Sequence, residues 1–143
     1  MVEYLKNRVG LNLQRQVCII TFYAGQVICI NKSIKLSNTI KNDGLRVMTV
    51  DSFQGSECDV VILSFVRNNS RGSVGFLKDF QRLNVALTRA RHLLICVGCA
   101  KTLQSQTRNQ NQNSSTTINH LSNIINDAKA RERYFSESEI LLV

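Results

Sequence analysis

Residues 46–66 have the sequence RVMTVDSFQGSECDVVILSFV, in which two apolar runs flank a polar loop. The runs Arg46–Val50 and Asp59–Val66 are rich in β-branched residues, so each is predicted to form a β-strand. Val60–Leu63 is apolar without alternation, which is typical of a strand buried on both faces of a parallel sheet. The segment therefore predicts two buried strands joined by a loop of polar side chains.

Strands and helices alternate on both sides of this segment. The compact apolar run Val17–Phe22 predicts a strand, and apolar residues at helical intervals in 23–36 predict a helix after it. Phe80–Ala90 is predicted to be a helix, and Leu93–Val97 a fourth strand. Because parallel strands need crossover connections, this alternation predicts an α/β fold with a mainly parallel sheet and helices on both faces.

Changes in composition divide the chain into four parts. We predict an N-terminal segment with a short helix (1–16), the α/β domain (17–103), a polar low-complexity linker (104–117), and a C-terminal helix and tail (118–143). Leu121, Ile124 and Ile125 fall at helical spacing, so this last helix should dock on the α/β domain or on a neighbouring one. The apolar residues 140–143 are interpreted as a further strand.

The distribution of charge favours a polyanionic partner. The 143-residue chain has a formal net charge of +8, and residues 104–143 contribute none of it because four basic residues there balance four acidic ones. The excess lies in the part predicted to fold, with a generally basic surface as the alternative interpretation. No run approaches the roughly 18 apolar residues of a membrane span, and the charged start is unlike a signal peptide. We therefore expect no membrane partner.

The cysteines argue for a reducing compartment. Their number is odd, five, so we expect an intracellular location, in the cytoplasm or the nucleus. Cys96 and Cys99 have CxxC spacing, but neither a second pair nor a histidine at ligand spacing accompanies them. We interpret them as core or strand-end residues and predict no metal site.

The predicted helix at 81–91 carries two arginines suited to binding phosphate. Arg82 and Arg89 are seven residues apart, so on a helix they project in nearly the same direction. Two aligned guanidinium groups bind phosphate oxygens well. The alternative, which this segment alone supports equally, is a surface helix whose arginines pair with acidic side chains.

The loop at 50–59 adds groups that could contact a ligand. Loops beyond the carboxyl ends of parallel strands build ligand sites, and Gly55 allows a tight backbone path. Gln54 and Glu57 are suited to hydrogen bonding a ribose, a phosphate or a catalytic water. The alternative is an ordinary connection in which Asp51 and Ser52 cap a helical turn.

These segments resemble a known family. VDSFQGSECDVVILSFVR (50–67) and GFLKDFQRLNVALTRARHLLICVG (75–98) resemble motifs V and VI of superfamily 1 helicases, in the group that contains the nonsense-mediated-decay helicase and senataxin. VCIITFYAGQ (17–26) is similar to motif IV of the same group. The resemblance implies the second, C-terminal RecA-like domain of such a helicase, a P-loop NTPase-type fold.

The resemblance also implies roles for individual residues. Arg89 would be the arginine finger, which reaches the γ-phosphate of ATP held by the other RecA-like domain and is the catalytic residue of this chain. The residues implied in ATP binding are Gln54, Gly55, Glu57, Arg82 and Arg89, and those implied in contacts with a nucleic-acid strand are Thr21, Thr49, Ser52 and Arg67.

The chain departs from the family pattern in three places. Phe22 stands where the family usually has proline, and Ser56 stands where many relatives have a basic residue. No GxxxxGK[ST] phosphate loop (Walker A) and no acidic Walker B run is present. ATP and Mg²⁺ are therefore expected to be bound mainly by the first RecA-like domain, and this chain alone is expected to lack ATPase activity.

The expected function is that of a motor domain in an ATP-dependent helicase that moves 5′-to-3′ along single-stranded RNA or DNA. Its expected partners are that strand and the first RecA-like domain. The alternative is a truncated, non-enzymatic module that binds nucleic acid or a partner helicase. A third interpretation is an unrelated α/β nucleotide-binding protein. Such a protein would need its own phosphate loop, and none is visible in the sequence.

Overall fold

A four-stranded parallel sheet forms the centre of the molecule. The computed structural model describes residues 2–7, 9–38, 40, 43–69, 75–104 and 115–136. The strands are β1 (Val17–Thr21), β2 (Arg46–Thr49), β3 (Cys58–Ser64) and β4 (Ala90–Val97), in the spatial order β2-β1-β3-β4, and every neighbouring pair is parallel. The predicted α/β fold with a parallel sheet is confirmed.

Helices connect the strands and cover the sheet. They are α1 (Val2–Asn7), α2 (Leu13–Gln16), α3 (Ala24–Leu36), α4 (Phe80–Leu87), α5 (Ala100–Gln104) and α6 (Ser115–Ala130), with a 3₁₀ turn at Gly75–Lys78. The predicted helix within 23–36 corresponds to α3, and α5 was not predicted. None of the helices in the described ranges is long and apolar enough to cross a membrane.

Alternation along the strands builds one apolar cluster on each face of the sheet. Cys18 and Ile20 of β1 pack in a cluster with Leu83 of α4, and we call this side the α4 face. Val17 and Ile19 pack in the other cluster, which Ile30 and Ile34 of α3 cover, and this is the α3 face. Helices therefore lie on both faces, which explains why all of β1 is buried.

The register of the strands defines two edges of the sheet. Thr21, the last residue of β1, is aligned with Thr49 of β2 and Ser64 of β3, so three neighbouring strands end on hydroxyl side chains. We call this the carboxyl edge. At the opposite, amino edge Cys58 is aligned with Ala90, and the Cys58 amide donates to the Arg89 carbonyl (3.1 Å). The residues that lead into β3 and β4 therefore lie at the amino edge.

Helix α4 ends three residues earlier than predicted. It ends at Leu87, and the Thr88 hydroxyl donates to the carbonyl of Asn84 (3.0 Å) within the last turn. Ala90 already belongs to β4, which begins three residues before the predicted Leu93. The helical spacing of Ala90 misled the prediction, because this residue packs against the same cluster from a strand. Arg89 therefore lies in a turn, outside the helix.

Helix α6 docks on this domain. Leu121 is fully buried in the α4-face cluster, and Ile125 packs against it. The helix begins at Ser115, inside the segment predicted as a linker. The other linker residues, 105–114, and the predicted strand at 140–143 lie outside the described residues.

Strand β4 is incompletely covered. Leu93 and Val97, on its α3 face, are 46% and 48% exposed. Helix α3 packs mainly against β1 and β2, the two strands farthest from β4. Within the described part of the chain, β4 pairs with β3 alone, so its outer side is open.

Candidate nucleotide and nucleic-acid sites

The β2–β3 loop (residues 50–57) begins as one helical turn fixed in the core. The Phe53 amide donates to the carbonyl of Thr49 (3.0 Å), and the side chains of Val50 and Phe53 are buried. Thr49 caps this turn, since its hydroxyl accepts from the Ser52 amide (3.2 Å). Gly55 then has a positive φ of 78°, which bends the chain towards β3. The loop thus runs from the carboxyl edge to the amino edge.

The Arg89 side chain reaches this loop at the amino edge. Its Nε donates to the carbonyl of Val85 (3.0 Å), and its Nη1 donates to the carbonyl of Ser56 (3.2 Å). Its Nη2 donates to the Thr88 hydroxyl (3.3 Å). These acceptors are uncharged, and no carboxylate in the described ranges forms an ion pair with Arg89. The guanidinium is thus held in place while its positive charge remains available to an anion.

Glu57 lies beside Arg89 in the same region and is reachable from solvent. Its Oε2 accepts from Arg91 Nε (3.3 Å), and its side chain remains 51% exposed. Arg91 also lies 3.8 Å from Asp59. Gln54 and Gly55 are exposed too. Four of the five residues predicted to bind ATP therefore lie on one continuous loop-and-turn surface.

Arg82 has a different environment, which corrects the prediction of an arginine pair. Its Nε donates to Asp51 Oδ1 (2.9 Å), and its Nη2 donates to the other oxygen of the same carboxylate. Arg82 lies in the first turn of α4 and Arg89 follows the last turn. Arg89 therefore lies beyond the helix on which both arginines were predicted, and Arg82 forms the pairing with an acidic side chain that the alternative described, while its contact with ATP stays a prediction.

Two of the predicted strand-contact residues form a hydroxyl pair at the carboxyl edge. Thr49 Oγ1 and Ser52 Oγ are 2.8 Å apart, and Ser52 is exposed. Thr21, by contrast, is completely buried, and its hydroxyl has no hydrogen-bond partner among the described residues. The structure therefore leaves Thr49 and Ser52 accessible to a strand, whereas a direct contact from Thr21 has no support in it.

Arg67, the fourth predicted strand contact, is oriented by Tyr23. Its Nε donates to the Tyr23 hydroxyl (2.7 Å), and its guanidinium lies over the Tyr23 ring, 5.0 Å from the centroid. Val66 precedes it with a φ of 65°, in a γ-turn closed by the Arg67 amide and the Phe65 carbonyl (2.7 Å). A β-branched residue at positive φ is strained by about 1–3 kcal/mol, so packing around Arg67 must stabilise this turn.

The predicted site residues therefore lie at two opposite edges. Thr49, Ser52 and Arg67 lie at the carboxyl edge, as expected for loops that follow parallel strands. The loop at 50–59 begins beyond the carboxyl end of β2, as predicted, but it crosses to the amino edge, where Gly55 and Glu57 lead into β3 and Arg89 precedes β4. The seven residues of β3 separate the two groups by about 20 Å.

Sequence reasoning missed several residues that hold these groups. Asp51 was considered only as a helix cap, and Tyr23 and Arg91 were given no contact with the site. A signal existed for Tyr23, since aromatic residues directly after a buried strand lie at the carboxyl edge. No signal in the sequence pairs Asp51 with Arg82, which is 31 positions away.

The cysteines form neither a disulfide nor a metal-binding group among the described residues. All five are free thiols, including Cys96 and Cys99. Burial raises the pKa of the Cys18 thiol to about 12, and a hydrogen bond from the Thr102 side chain lowers the pKa of the Cys99 thiol. In the part of the chain that the structure describes, no three His, Cys, Asp or Glu side chains are grouped to hold a metal ion.

The fold and these two edges define the class of the protein: a RecA-like α/β domain that presents a cationic turn at one edge and hydroxyl groups at the other. A family model described as an AAA domain matches residues 1–101.

Three proteins are similar to this part of the chain. The chain is 42% identical over 103 residues to the DNA polymerase alpha-associated DNA helicase A of Saccharomyces cerevisiae, which covers 71% of the chain and 15% of that relative. It is 47% identical over 95 residues to Regulator of nonsense transcripts 1 of Dictyostelium discoideum, covering 64% of the chain and 7% of the relative. It is 37% identical over 113 residues to Helicase sen1 of Schizosaccharomyces pombe, and this match covers 73% of the chain and 7% of the relative.

The chain belongs to this AAA-domain family and is the C-terminal RecA-like domain of a superfamily 1 helicase. It spans 15% or less of the length of these three relatives.

Proposed function

We propose that this chain is the C-terminal motor domain of an ATP-dependent RNA or DNA helicase. In this function it supplies the arginine finger and part of the track for a single strand, and ATP hydrolysis drives 5′-to-3′ translocation and unwinding. Its partners would be that strand and the first RecA-like domain, inside the cell in the cytoplasm or the nucleus. The helicase family and the two-edged site support this proposal.

One observation carries the proposal: the guanidinium of Arg89 is held by uncharged acceptors, one of which is the carbonyl of Ser56, the residue before the exposed Glu57. Phosphoryl transfer needs positioning and charge neutralisation more than covalent chemistry, and an arginine finger contributes about 10³–10⁵ in rate. An anchored cation that forms no ion pair with a carboxylate of the described residues suits that role. Glu57, Gln54 and Gly55 would contact the same nucleotide.

The donor set fits one side of a nucleoside triphosphate. It offers a cation, a carboxylate and a backbone turn, but the sequence has no phosphate loop and the described residues have no metal-ligand cluster. ATP and Mg²⁺ would therefore be held mainly by the first RecA-like domain. Hydrolysis would then depend on closure of the two domains, which couples it to movement along the strand.

The carboxyl edge suits a strand backbone. Thr49 and Ser52 offer hydroxyl groups, and Arg67 offers a guanidinium fixed on an aromatic ring. Hydroxyl and guanidinium groups are common donors to phosphate oxygens. The strand would lie across this edge, about 20 Å from the nucleotide.

The test is Arg89→Ala in the intact protein, with Arg133→Ala as the control, because Arg133 is an exposed arginine far from this site in sequence. Arg89→Ala should lower ATP turnover by about 10³-fold or more while ATP binding persists. Arg133→Ala should retain turnover. Loss of ATP binding with normal turnover of bound ATP would assign Arg89 a different role.

The same measurements separate the proposed motor from a non-enzymatic module. Intact wild-type protein that binds single strands but does not hydrolyse ATP would support the module and contradict the motor function.

A further inference from the structure

The ion pair between Asp51 and Arg82 joins two segments that carry different parts of the proposed site. Asp51 is the second residue of the β2–β3 loop, and Arg82 lies in the first turn of α4. The contact has two points, Nε to Oδ1 (2.9 Å) and Nη2 to Oδ2. A two-point guanidinium–carboxylate contact fixes orientation as well as distance.

Helix α4 is tied to this loop a second time at its other end. Arg89, just beyond the last turn, donates to the carbonyl of Ser56 near the end of the loop. The first turn is itself fixed by Asp79, whose carboxylate accepts from the amides of Gln81 (3.0 Å) and Arg82 (3.2 Å). The loop and the helix are therefore fastened at both ends and can shift together.

The loop also starts beside the hydroxyl groups of the carboxyl edge. Ser52 follows Asp51 directly and pairs with Thr49. The Val50 amide, just before Asp51, donates to the carbonyl of Thr21 (2.9 Å). The contacts therefore form a continuous path from the Thr49–Ser52 turn through Asp51 to Arg82, and along α4 to Arg89.

We propose that Asp51 and Arg82 are a positioning pair that transmits strand binding at Thr49 and Ser52 to the arginine finger, Arg89. This inference rests on the proposed function. It changes the role of Arg82 from an ATP contact to a residue that acts through Asp51 and α4.

The pair contributes to position more than to stability. The Asp51 side chain is 62% exposed and that of Arg82 is 25% exposed. An ion pair this accessible is screened by solvent and adds little to the free energy of unfolding. Loss of the pair should therefore lower strand-stimulated ATP turnover more clearly than it lowers the free energy of unfolding.

A charge swap in the intact protein tests the pair. Asp51→Arg and Arg82→Asp alone should each lower strand-stimulated ATP turnover by about 10- to 100-fold, as expected when a catalytic group is misplaced by around 1 Å. The double variant restores a salt bridge of opposite polarity, so it should recover most of the stimulation. The KM for ATP should be preserved while kcat falls, because the pair does not touch ATP.

Two conservative variants keep the test valid if the swaps impair folding. Arg82→Lys retains the charge but loses the two-point geometry, and Asp51→Asn retains the shape but loses the charge. Both should reduce the ratio of stimulated to unstimulated turnover. The control is Arg131→Asp, which breaks an exposed ion pair with Asp127 on α6 (2.9 Å) and should leave this ratio unchanged.

The outcomes distinguish this inference from the proposed function. If wild-type protein is stimulated by single strands but the double swap is no better than the single variants and raises the KM for ATP, Arg82 contacts ATP and the pairing role is wrong. Full stimulation in Arg82→Lys and Asp51→Asn would also overturn it. Wild-type protein without any strand-stimulated turnover would overturn the proposed function itself.

Discussion

Gly55 and Gly25 separate the effect of backbone conformation from the effect of packing. A Cβ atom added to either residue would meet no atom within 4 Å. Gly55 has a φ of 78°, whereas Gly25 lies in the first turn of α3. Only the backbone therefore decides what an added methyl group does at each position.

Alanine at the two positions should have opposite effects on stability. Gly55→Ala should lower the free energy of unfolding by about 1–2 kcal/mol, because an L-residue is disfavoured in the left-handed region. Gly25→Ala should raise it by up to about 1 kcal/mol, because alanine favours the helix. Urea unfolding of each variant measures this, and a change of the same sign in both would show that packing contributes.

The chemistry of single residues could be predicted better than their partners. The residue types and the family resemblance were sufficient to propose Arg89 and Glu57 as ATP contacts, and the structure holds the Arg89 side chain on the carbonyl of Ser56, the residue before Glu57. The pairing of Arg82 with Asp51 and the burial of Thr21 depend on the three-dimensional packing of distant segments. The neighbouring residues in the sequence predict neither the ion pair nor the burial.

Among the helices and strands, α4 is the one whose stability depends most clearly on the hydrogen bonds of its first turn. It has eight residues, which is too short to be stable by itself. The carboxylate of Asp79 caps it by accepting from two amides that have no partner within the helix. The burial of Leu83 and Ala86 supplies the rest of its stability.

Removing the cap should destabilise the domain measurably. Asp79→Ala should lower the free energy of unfolding by about 1 kcal/mol, whereas Asp79→Ser should retain most of it because serine is also a good cap. Chemical unfolding curves of the two variants compare them directly. Equal losses in both would mean that the negative charge, and not capping, is what matters.

The strands could be predicted more accurately than the ends of the helices. Val17–Phe22 was predicted and β1 is Val17–Thr21, while Arg46–Val50 was predicted and β2 is Arg46–Thr49. Apolar, β-branched runs between polar segments give a strong signal. The predicted end of α4 was wrong because Ala90 fits both the spacing of the helix and the pairing of a strand. In the structure Ala90 pairs with Cys58 and belongs to β4.

In the molecule as a whole, one sheet connects the two proposed functions. Of the residues proposed to contact a strand, Thr49 ends β2 and Arg67 follows β3, whereas Glu57 and Arg89, proposed to contact ATP, precede β3 and β4. Packed parallel strands are stiff, so the sheet should hold the two edges at a fixed distance while the β2–β3 loop and α4 can shift against it. An isolated domain would then retain the strand-contact edge while lacking the phosphate loop.

The 143-residue chain alone should therefore bind single strands without turning over ATP. Its affinity should fall steeply with salt, with a slope of about −0.7 per phosphate contact in a double-logarithmic plot, because bound counterions are released. Fluorescence anisotropy in a salt series and a phosphate-release assay measure the two quantities. Robust turnover, or affinity insensitive to salt, would contradict this.

The open side of β4 matters for anyone who prepares this domain by itself. Among the described residues β4 pairs with β3 alone, and an outer side left with free amide and carbonyl groups beside Leu93 and Val97 is a template on which a strand of another molecule can add. Concentrated samples will be prone to aggregate through this side. Leu93→Lys should reduce this aggregation without changing any residue at the carboxyl edge or the amino edge.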